Sequence, residues 1–90
     1  MAEVQGDQSR SEALVAETLA YLARSLVEHP DDVRVESVES ERGPTLRLHV
    51  HPDDMGRVIG RSGRVARALR QVTRAAATRA GTSVFVEIGE

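Results

Sequence analysis

The first part of the chain carries an apolar stripe with helical spacing. Its members recur at intervals of four, three and four residues: Val15, Leu19, Leu22 and Leu26. Ser9 followed by Glu12 fits a capping box at the start of this helix, with Ser11 as a competing N-cap. The helix is predicted to end near Glu28, because Pro30 disfavours helical geometry in the residue before it. No such periodicity precedes the stripe, which predicts a flexible tail over residues 1–10 and one domain over residues 11–90.

Two strands are predicted next, joined as an antiparallel hairpin by a Gly-Pro turn at Ser40–Pro44. The first strand covers about Val33–Glu39. Its alternation slips near Ser37, so Val38 is expected to return to the core through a β-bulge. The second strand, Thr45–His51, alternates cleanly. Its apolar face holds Leu46, Leu48 and Val50, and its polar face holds Arg47, His49 and His51.

The second half predicts a short helix, a long helix and a last strand. The short helix starts at Pro52-Asp53-Asp54 and ends at Gly60. A long helix follows from about Ser62 to Ala80, and Thr82–Ile88 alternates as a strand. The predicted order is α-β-β-α-α-β. In so short a chain, three helices cannot cover both faces of a three-stranded sheet, so the sequence predicts an α+β fold with the helices on one face. The crossover places the last strand parallel to the Thr45 strand in a three-stranded mixed sheet.

Between the two later helices lies a glycine loop with the sequence Val58-Ile59-Gly60-Arg61-Ser62-Gly63-Arg64. Glycine allows positive φ and lets another polymer approach the backbone closely. The start of the helix after the loop offers unpaired N–H groups and a positive dipole end. Both features favour an anion, and the guanidinium groups around the loop suit phosphate oxygens. The sequence therefore predicts a phosphate-binding turn.

The charge distribution supports that interpretation. Residues 1–54 hold five Arg against twelve acidic residues, for a net charge of −7, and residues 55–90 hold seven Arg against two Glu, for +5. The chain is therefore acidic overall, at −2, while its second half can attract polyanions. It contains no Cys, which excludes disulfides and thiolate chemistry, and it contains no Lys.

Several candidate residues have a second interpretation. The arginines at positions 57, 61, 64 and 67 are predicted to contact phosphate, and the alternative is a solvated helix face. For Arg70 and Arg74 the two interpretations are balanced. The apolar residues beside the loop, Val58, Ile59 and Val65, belong either to the core or to a floor under the bases. Phe85 is predicted on the open sheet face, where it is either a partner surface or locally covered. One Tyr and one Phe leave little scope for aromatic stacking of bases.

Other classes of function find little support in the sequence. The loop lacks the glycine spacing and the lysine of a nucleotide-hydrolase P-loop, and no catalytic set can be argued from spacing. His49, His51 and Asp53 lie close in sequence, but a full zinc set is missing. We therefore predict no catalysis, no metal and no cofactor. Without an apolar run of about 18 residues or a signal peptide, we expect a cytoplasmic protein that does not enter membranes.

The chain resembles a type II KH domain, and in particular the KhpA-like single-domain KH proteins of bacteria. Three stretches carry the resemblance: residues 29–35, residues 51–64, and the alanine-rich helix with the closing strand. Where the family loop reads G-K-x-G-R, this chain has Arg61 in place of the lysine. The resemblance implies that single-stranded RNA contacts Arg57, Val58, Ile59, Gly60, Arg61, Ser62, Gly63, Arg64 and Arg67. It also implies homodimers or heterodimers with a second KH protein, and RNA chaperone or post-transcriptional roles that affect cell length and the cell envelope.

A rival hypothesis is a protein-interaction domain, in which the apolar groove near Val58 and Val65 holds a partner subunit and RNA binding is secondary. Replacement of both Gly60 and Gly63 by Asp is expected to separate the two. We expect RNA binding to be abolished while the fold stays mostly intact.

Overall fold

The computed structural model describes residues 2–89, with side chains from Ser9 onward. Its helices are α1 (Ala2–Arg24), α2 (Met55–Ile59) and α3 (Arg64–Arg79). Its strands are β1 (Arg34–Ser40), β2 (Gly43–His49) and β3 (Phe85–Ile88). Single 3-10 turns precede β1, α2 and α3, at Pro30–Asp32, Pro52–Asp54 and Arg61–Gly63. Within these residues no helix has the length and apolarity needed to span a bilayer.

The three strands form one mixed sheet in the order β1-β2-β3. β1 and β2 are antiparallel, and their register runs from Arg34 opposite His49 to Ser40 opposite Gly43. β3 is parallel to β2, with Thr45 opposite Phe85. This arrangement confirms the predicted α+β class, the element order and the parallel last strand. It also makes the outer side of β3 one edge of the sheet.

The helices cover one face of the sheet. Leu46 and Leu48 of β2 and Val86 of β3 point towards them and are almost fully buried. They pack with Leu19 of α1 and Leu69 of α3 in one apolar cluster. Burial of such a side chain stabilises a fold by about 1.5–3 kcal/mol, so this cluster holds the layers together. The opposite face of the sheet is polar and carries Glu36, Arg47, His49 and Glu87.

The predicted β-bulge is wrong. The register of β1 and β2 continues without interruption through Ser37 and Val38. Val38 therefore lies on the open face of the sheet, in a row with Thr45 and Phe85. Val38 is half-buried there and Thr45 is buried, so the apolar residue finds cover without entering the main core.

The bounds of α1 also differ from the prediction. The helix begins at Ala2, so the predicted start at Ser9 or Ser11 is wrong. The Ser11 hydroxyl instead donates to the carbonyl of Ala80, 3.0 Å away. The helix ends at Arg24 rather than near Glu28, and Leu26 remains 40% exposed. Hydrogen bonds from the amides of residues 25 and 26 to the last helical turn close the helix early, which turns Leu26 away from the core. The division into a tail of residues 1–10 and a domain stays a prediction.

The remaining bounds shift by one to three residues, and the largest correction is β3, which begins at Phe85 rather than at Thr82. The two hairpin strands pair as far as Ser40 and Gly43, so the turn contains only two unpaired residues, Glu41 and Arg42. This tight connection brings Arg42 close to the sheet. The α3 helix starts after the glycine loop, at Arg64, and ends at Arg79.

Candidate nucleic-acid interface

The glycine loop is a sharp corner between α2 and α3. Gly60 ends α2 with φ 76° and ψ 171°, and Gly63 precedes α3 with φ 73° and ψ 18°. Ser62 between them also has positive φ, at 57°. The amide of Gly63 donates to the carbonyl of Gly60 over 3.1 Å, which closes a single turn. Because side chains disfavour positive φ, glycine at the two ends of the turn makes this corner accessible to the chain.

The two glycines have different surroundings. A Cβ atom on Gly60 would lie 2.8 Å from the backbone nitrogen and the Cβ atom of Val65, which is too close. A Cβ atom on Gly63 would meet no atom within 4 Å in the part of the chain whose side chains are described, from Ser9 onward. Gly60 is therefore required by packing inside the protein. Gly63 is open, so that another molecule can approach its backbone.

The predicted apolar residues of the loop divide between core and surface. Val58 is fully buried in the main cluster, so it supports the loop from below. Ile59 and Val65 are half-buried. The Cδ1 atom of Ile59 lies 3.7 Å from the position of a Cβ atom on Gly89, so the loop adjoins the end of β3. Ile59 is thus placed to line a surface between the loop and the sheet edge.

Arg57 is turned away from the loop. Its Nη2 donates to Glu28 at 2.9 Å, and its Nε lies 3.9 Å from a carboxylate oxygen of Asp54. Among the side chains described from Ser9 onward, it is the predicted phosphate-binding residue that pairs with carboxylates. Sequence reasoning grouped it with the others because it lies close to Gly60 along the chain.

Three other arginines surround the loop. Arg61, Arg64 and Arg67 are exposed. Among the side chains described from Ser9 onward, no carboxylate lies within ion-pair distance of these three. Nη2 of Arg67 lies 3.4 Å from the carbonyl oxygen of Ser62, so its guanidinium lies beside the loop. With the exposed loop residue Ser62, the first turn of α3 and the open backbone at Gly63, they form a positively charged surface whose chemistry suits an anion.

A buried carboxylate fixes the start of α2. Asp54 is 1% exposed and accepts hydrogen bonds from the amides of Glu28 and His29 at 3.1 and 3.0 Å. Nδ1 of His29 lies 2.9 Å from the same carboxylate. These bonds join the segment after α1 to the helix that leads into the glycine loop. The sequence indicated only that carboxylates suit the start of α2. It did not indicate that Asp54 would pair with His29 and Glu28, which lie 25 and 26 residues away along the chain.

The hydrogen bond between His29 and Asp54 shifts the pKa of both groups. The bond to Asp54 raises the pKa of His29 above its usual value. Burial alone would raise the pKa of Asp54, but the hydrogen bonds from Glu28 and His29 outweigh burial and lower it. A charged His29 and an ionised Asp54 therefore stabilise each other.

The histidines are arranged differently from the sequence-based grouping. His49 bonds to Glu36 at 2.9 Å on the open sheet face, while His51 stacks on His29 with ring centroids 4.0 Å apart. Ligand atoms of His29, His51 and Asp53 lie within 4.8 Å of one another. However, the two rings are nearly parallel, at 11°, so their in-plane lone pairs do not converge. Nδ1 of His51 also accepts the amide of Asp53 at 3.0 Å, so that nitrogen is already occupied.

A second basic surface follows the outer edge of β3; we call it the β3-edge groove. Its lining includes Arg70 and Arg74 of α3, Arg42 of the hairpin turn and Phe85 of β3. It also includes Glu87, whose carboxylate pairs with Arg47 at 2.8 Å. Ile88 and Gly89 also line it, and Gly89 adjoins Ile59, so the groove is continuous with the glycine loop. The sequence left two interpretations of Arg70 and Arg74, contact with phosphate or a solvated helix face. The groove brings these two side chains together. Arg42 was missed, because only the tight hairpin places it beside β3.

Phe85 occupies the open face of the sheet, as its alternation predicts. The guanidinium carbon of Arg42 lies 4.4 Å from the centroid of its ring. Phe85 is therefore half-buried rather than bare. Of the two interpretations of Phe85, the structure supports the locally covered residue.

Comparison with known proteins agrees with the fold. The α-β-β-α-α-β order, the mixed sheet and the Gly60–Gly63 corner define a KH domain. The family described as KhpA/KhpB, KH domain matches residues 16–88, and the chain belongs to this family. A comparison with solved structures gave no match.

Curated relatives carry the name RNA-binding protein KhpA. The one from Leifsonia xyli is 50% identical over 75 residues, which are 83% of this chain and 96% of the relative. The one from Mycobacterium tuberculosis is 55% identical over 58 residues, which are 64% of this chain and 72% of the relative. The one from Streptomyces coelicolor is 52% identical over 59 residues, or 66% and 75% of the two chains.

Proposed function

We propose that this protein binds single-stranded RNA at the glycine loop. The observation that carries the proposal is the open backbone at Gly63, which has positive φ and where a Cβ atom would meet none of the described residues within 4 Å. Beside it lie Arg61, Arg64 and Arg67, which pair with none of the carboxylates described from Ser9 onward. The names of the curated relatives, RNA-binding protein KhpA, support the same ligand.

The geometry suggests a path for the strand. Phosphates lie over Gly63 and the start of α3, where N–H groups and Arg61, Arg64 and Arg67 face them. The bases then lie against Ile59 and enter the β3-edge groove, where Arg70 and Arg74 face the following phosphates. A single strand fits this surface because its bases are free to lie against a protein wall, whereas those of a duplex are stacked and paired.

Phosphate contacts supply affinity without reading sequence, so we expect weak and loosely selective binding by one domain. The connection between α3 and β3, which walls the groove in type II KH domains, is short here. Such binding suits an RNA chaperone or post-transcriptional regulator in the cytoplasm. We further propose that the protein has one of these roles and that it affects cell length and the cell envelope. We also propose that it acts by binding RNA rather than by catalysis.

A second candidate function is dimerisation, and a specific surface favours it. An apolar groove lies between α1 and α3, beside the glycine loop, and its lining includes Leu22, Leu26, Val65, Ala68, Leu69 and Val72. Leu26 is 40% and Val72 is 49% exposed. By contrast, the open face of the sheet carries ion pairs and a covered Phe85. The sequence suggests two interfaces, the open sheet face around Phe85 and the apolar groove beside the glycine loop. We favour the groove beside the loop, either for a homodimer or for a heterodimer with a second KH protein.

Crosslinking in cells, followed by sequencing of the bound RNA, tests the RNA proposal. The test variant carries Arg61→Glu with Arg67→Glu. The control carries Arg34→Glu with Arg79→Glu, which makes the same change in net charge at exposed residues away from the loop. RNA recovered with wild type and control but lost with the test variant supports the proposal. Equal recovery from all three proteins contradicts it and favours the interaction domain.

A further inference from the structure

The contact between Arg42 and Phe85 joins two distant parts of the chain. Arg42 belongs to the β1–β2 turn, and Phe85 begins β3. The guanidinium carbon lies over the ring, 4.4 Å from its centroid, so the ring supports the charged group. Arg42 is nevertheless exposed, and both residues line the β3-edge groove.

Such a pair is suited to stack a nucleobase. A guanidinium is planar and stacks on aromatic rings, and single-stranded RNA is recognised by stacking on aromatic and Arg planes. Contact with Phe85 orients Arg42 before RNA arrives, so less side-chain entropy is lost on binding. Among the side chains described from Ser9 onward, no carboxylate forms an ion pair with Arg42, so its charge is also free to attract phosphate.

The pair lies at the end of the groove far from the glycine loop. Gly89 adjoins Ile59 at the loop, whereas Phe85 lies four residues earlier along the strand. At about 3.3 Å per residue, this separation is about 13 Å. A KH loop clamps about four nucleotides, so the pair is placed to meet a base beyond that set.

We propose that Arg42 and Phe85 form a base-stacking subsite, which holds a nucleotide of single-stranded RNA beyond those at the glycine loop. The inference rests on the proposed RNA-binding function and adds a subsite to it. It gives the sole phenylalanine a part in recognition, in a chain whose composition offers few aromatic residues.

Arg42→Lys is the decisive variant, because it keeps the charge and removes the planar group. Phe85→Leu keeps an apolar side chain and removes the ring under Arg42. Arg34→Lys is the matched control, since Arg34 is exposed on β1 and does not line the groove. Circular dichroism melts of each variant check that the fold is retained.

Dissociation constants are measured for single-stranded RNAs of four and eight nucleotides. Stacking of one base contributes about 1–3 kcal/mol, so we expect Arg42→Lys and Phe85→Leu to weaken eight-nucleotide binding by about fivefold or more. Binding of the four-nucleotide RNA is expected to change by less than about twofold, since the loop holds it. Arg34→Lys is expected to match the wild type with both RNAs.

A fluorescent purine reports stacking directly. With 2-aminopurine placed at either end of the eight-nucleotide RNA, the wild type is expected to quench one end and Arg42→Lys to lose that quenching. Equal affinity and equal quenching in wild type and Arg42→Lys would overturn the subsite while leaving RNA binding at the loop intact. If the wild type bound neither RNA, the proposed function itself would fail, and the subsite with it.

Discussion

Gly60 lies against Val65 so closely that a Cβ atom on Gly60 would be 2.8 Å from the Val65 backbone nitrogen and Cβ atom. The corner of the loop therefore depends on Gly60 for packing as well as for positive φ. This contact corrects the expectation that Asp at both Gly60 and Gly63 leaves the fold mostly intact. Loss of RNA binding in that double variant would mix a disturbed fold with a blocked site.

Gly60→Ala is expected to lower the free energy of unfolding by about 1–3 kcal/mol, because it adds backbone strain and a steric clash. The matched control is Gly56→Ala. Gly56 lies within α2 with nothing within 4 Å of its would-be Cβ atom, so Ala there is expected to be neutral or to stabilise by about 0.5–1 kcal/mol. Urea unfolding of both variants measures the difference. Equal stability of the two would show that the corner tolerates a side chain at Gly60.

Stability is also expected to depend on pH through His29 and Asp54. The pKa of His29 is raised, so its contribution is complete below about pH 6.5 and is lost as the pH rises through the higher folded value. The pKa of Asp54 is lowered, so its contribution is present above about pH 4 and is lost as the pH falls through the lower folded value. The free energy of unfolding should therefore be largest between these limits.

Urea unfolding between about pH 5.5 and 8.5 tests the alkaline side, which spans the ordinary pKa of histidine. The wild type is expected to lose stability over this interval, and His29→Gln to lose less. The other charged groups facing His29 are Asp53 and Asp32, with His51 stacked on its ring. An identical pH dependence in wild type and His29→Gln would contradict this account of the contact.

The arginines near the loop are expected to differ in their effect on RNA binding. Arg57 is engaged with Glu28, so Arg57→Ala should change affinity by less than about twofold. Arg61→Ala should weaken binding more, and should reduce the salt dependence by about 0.7 in the logarithmic slope for each phosphate that it no longer neutralises. Titrations at several salt concentrations measure both quantities. A larger effect from Arg57→Ala would mean that this side chain leaves Glu28 for the RNA.

Dimerisation, if it uses the groove between α1 and α3, should respond to a charge placed there. Val72→Glu is expected to yield monomers, because it would bury a carboxylate in an apolar interface. Phe85→Glu, on the open face of the sheet, is expected to leave the oligomeric state unchanged. Light scattering on the purified proteins distinguishes the two surfaces. A wild type that stays monomeric at high micromolar concentration would rule out the homodimer and leave the heterodimer.

How much of this could be predicted from the sequence depends on the range of the interactions. Alternation in β2 and the helical spacing in α3 are local patterns, and they predicted the sheet and the helices, while the two glycines predicted the corner at Gly60 and Gly63. The prediction of a bulge at Val38 was wrong. Val38 lies beside Thr45 and Phe85 on the open face, and these residues belong to the other two strands, so the pattern of β1 alone could not indicate them.

The missed parts of the site are long-range pairs. Arg57 with Glu28 and Asp54 with His29 join residues more than 20 positions apart. Arg42 reaches Phe85 only because the hairpin turn is shorter than the predicted turn at Ser40–Pro44. No periodicity marks such partners, so the sequence could identify basic residues near the loop but not which of them remain free.

The most direct test of the central claim compares two glycines in RNA binding. Gly63 and Gly81 have similar positive φ values, 73° and 80°, and a Cβ atom at either would meet nothing within 4 Å among the side chains described from Ser9 onward. Gly63→Asp and Gly81→Asp therefore add the same charge and comparable strain, at opposite ends of α3. Fluorescence anisotropy with a short single-stranded RNA measures the affinity of each. We predict that Gly63→Asp weakens binding by at least about tenfold, while Gly81→Asp stays within about twofold of the wild type. Wild-type affinity in Gly63→Asp, or equal losses of affinity in both variants, would contradict the claim that RNA binds at the glycine loop.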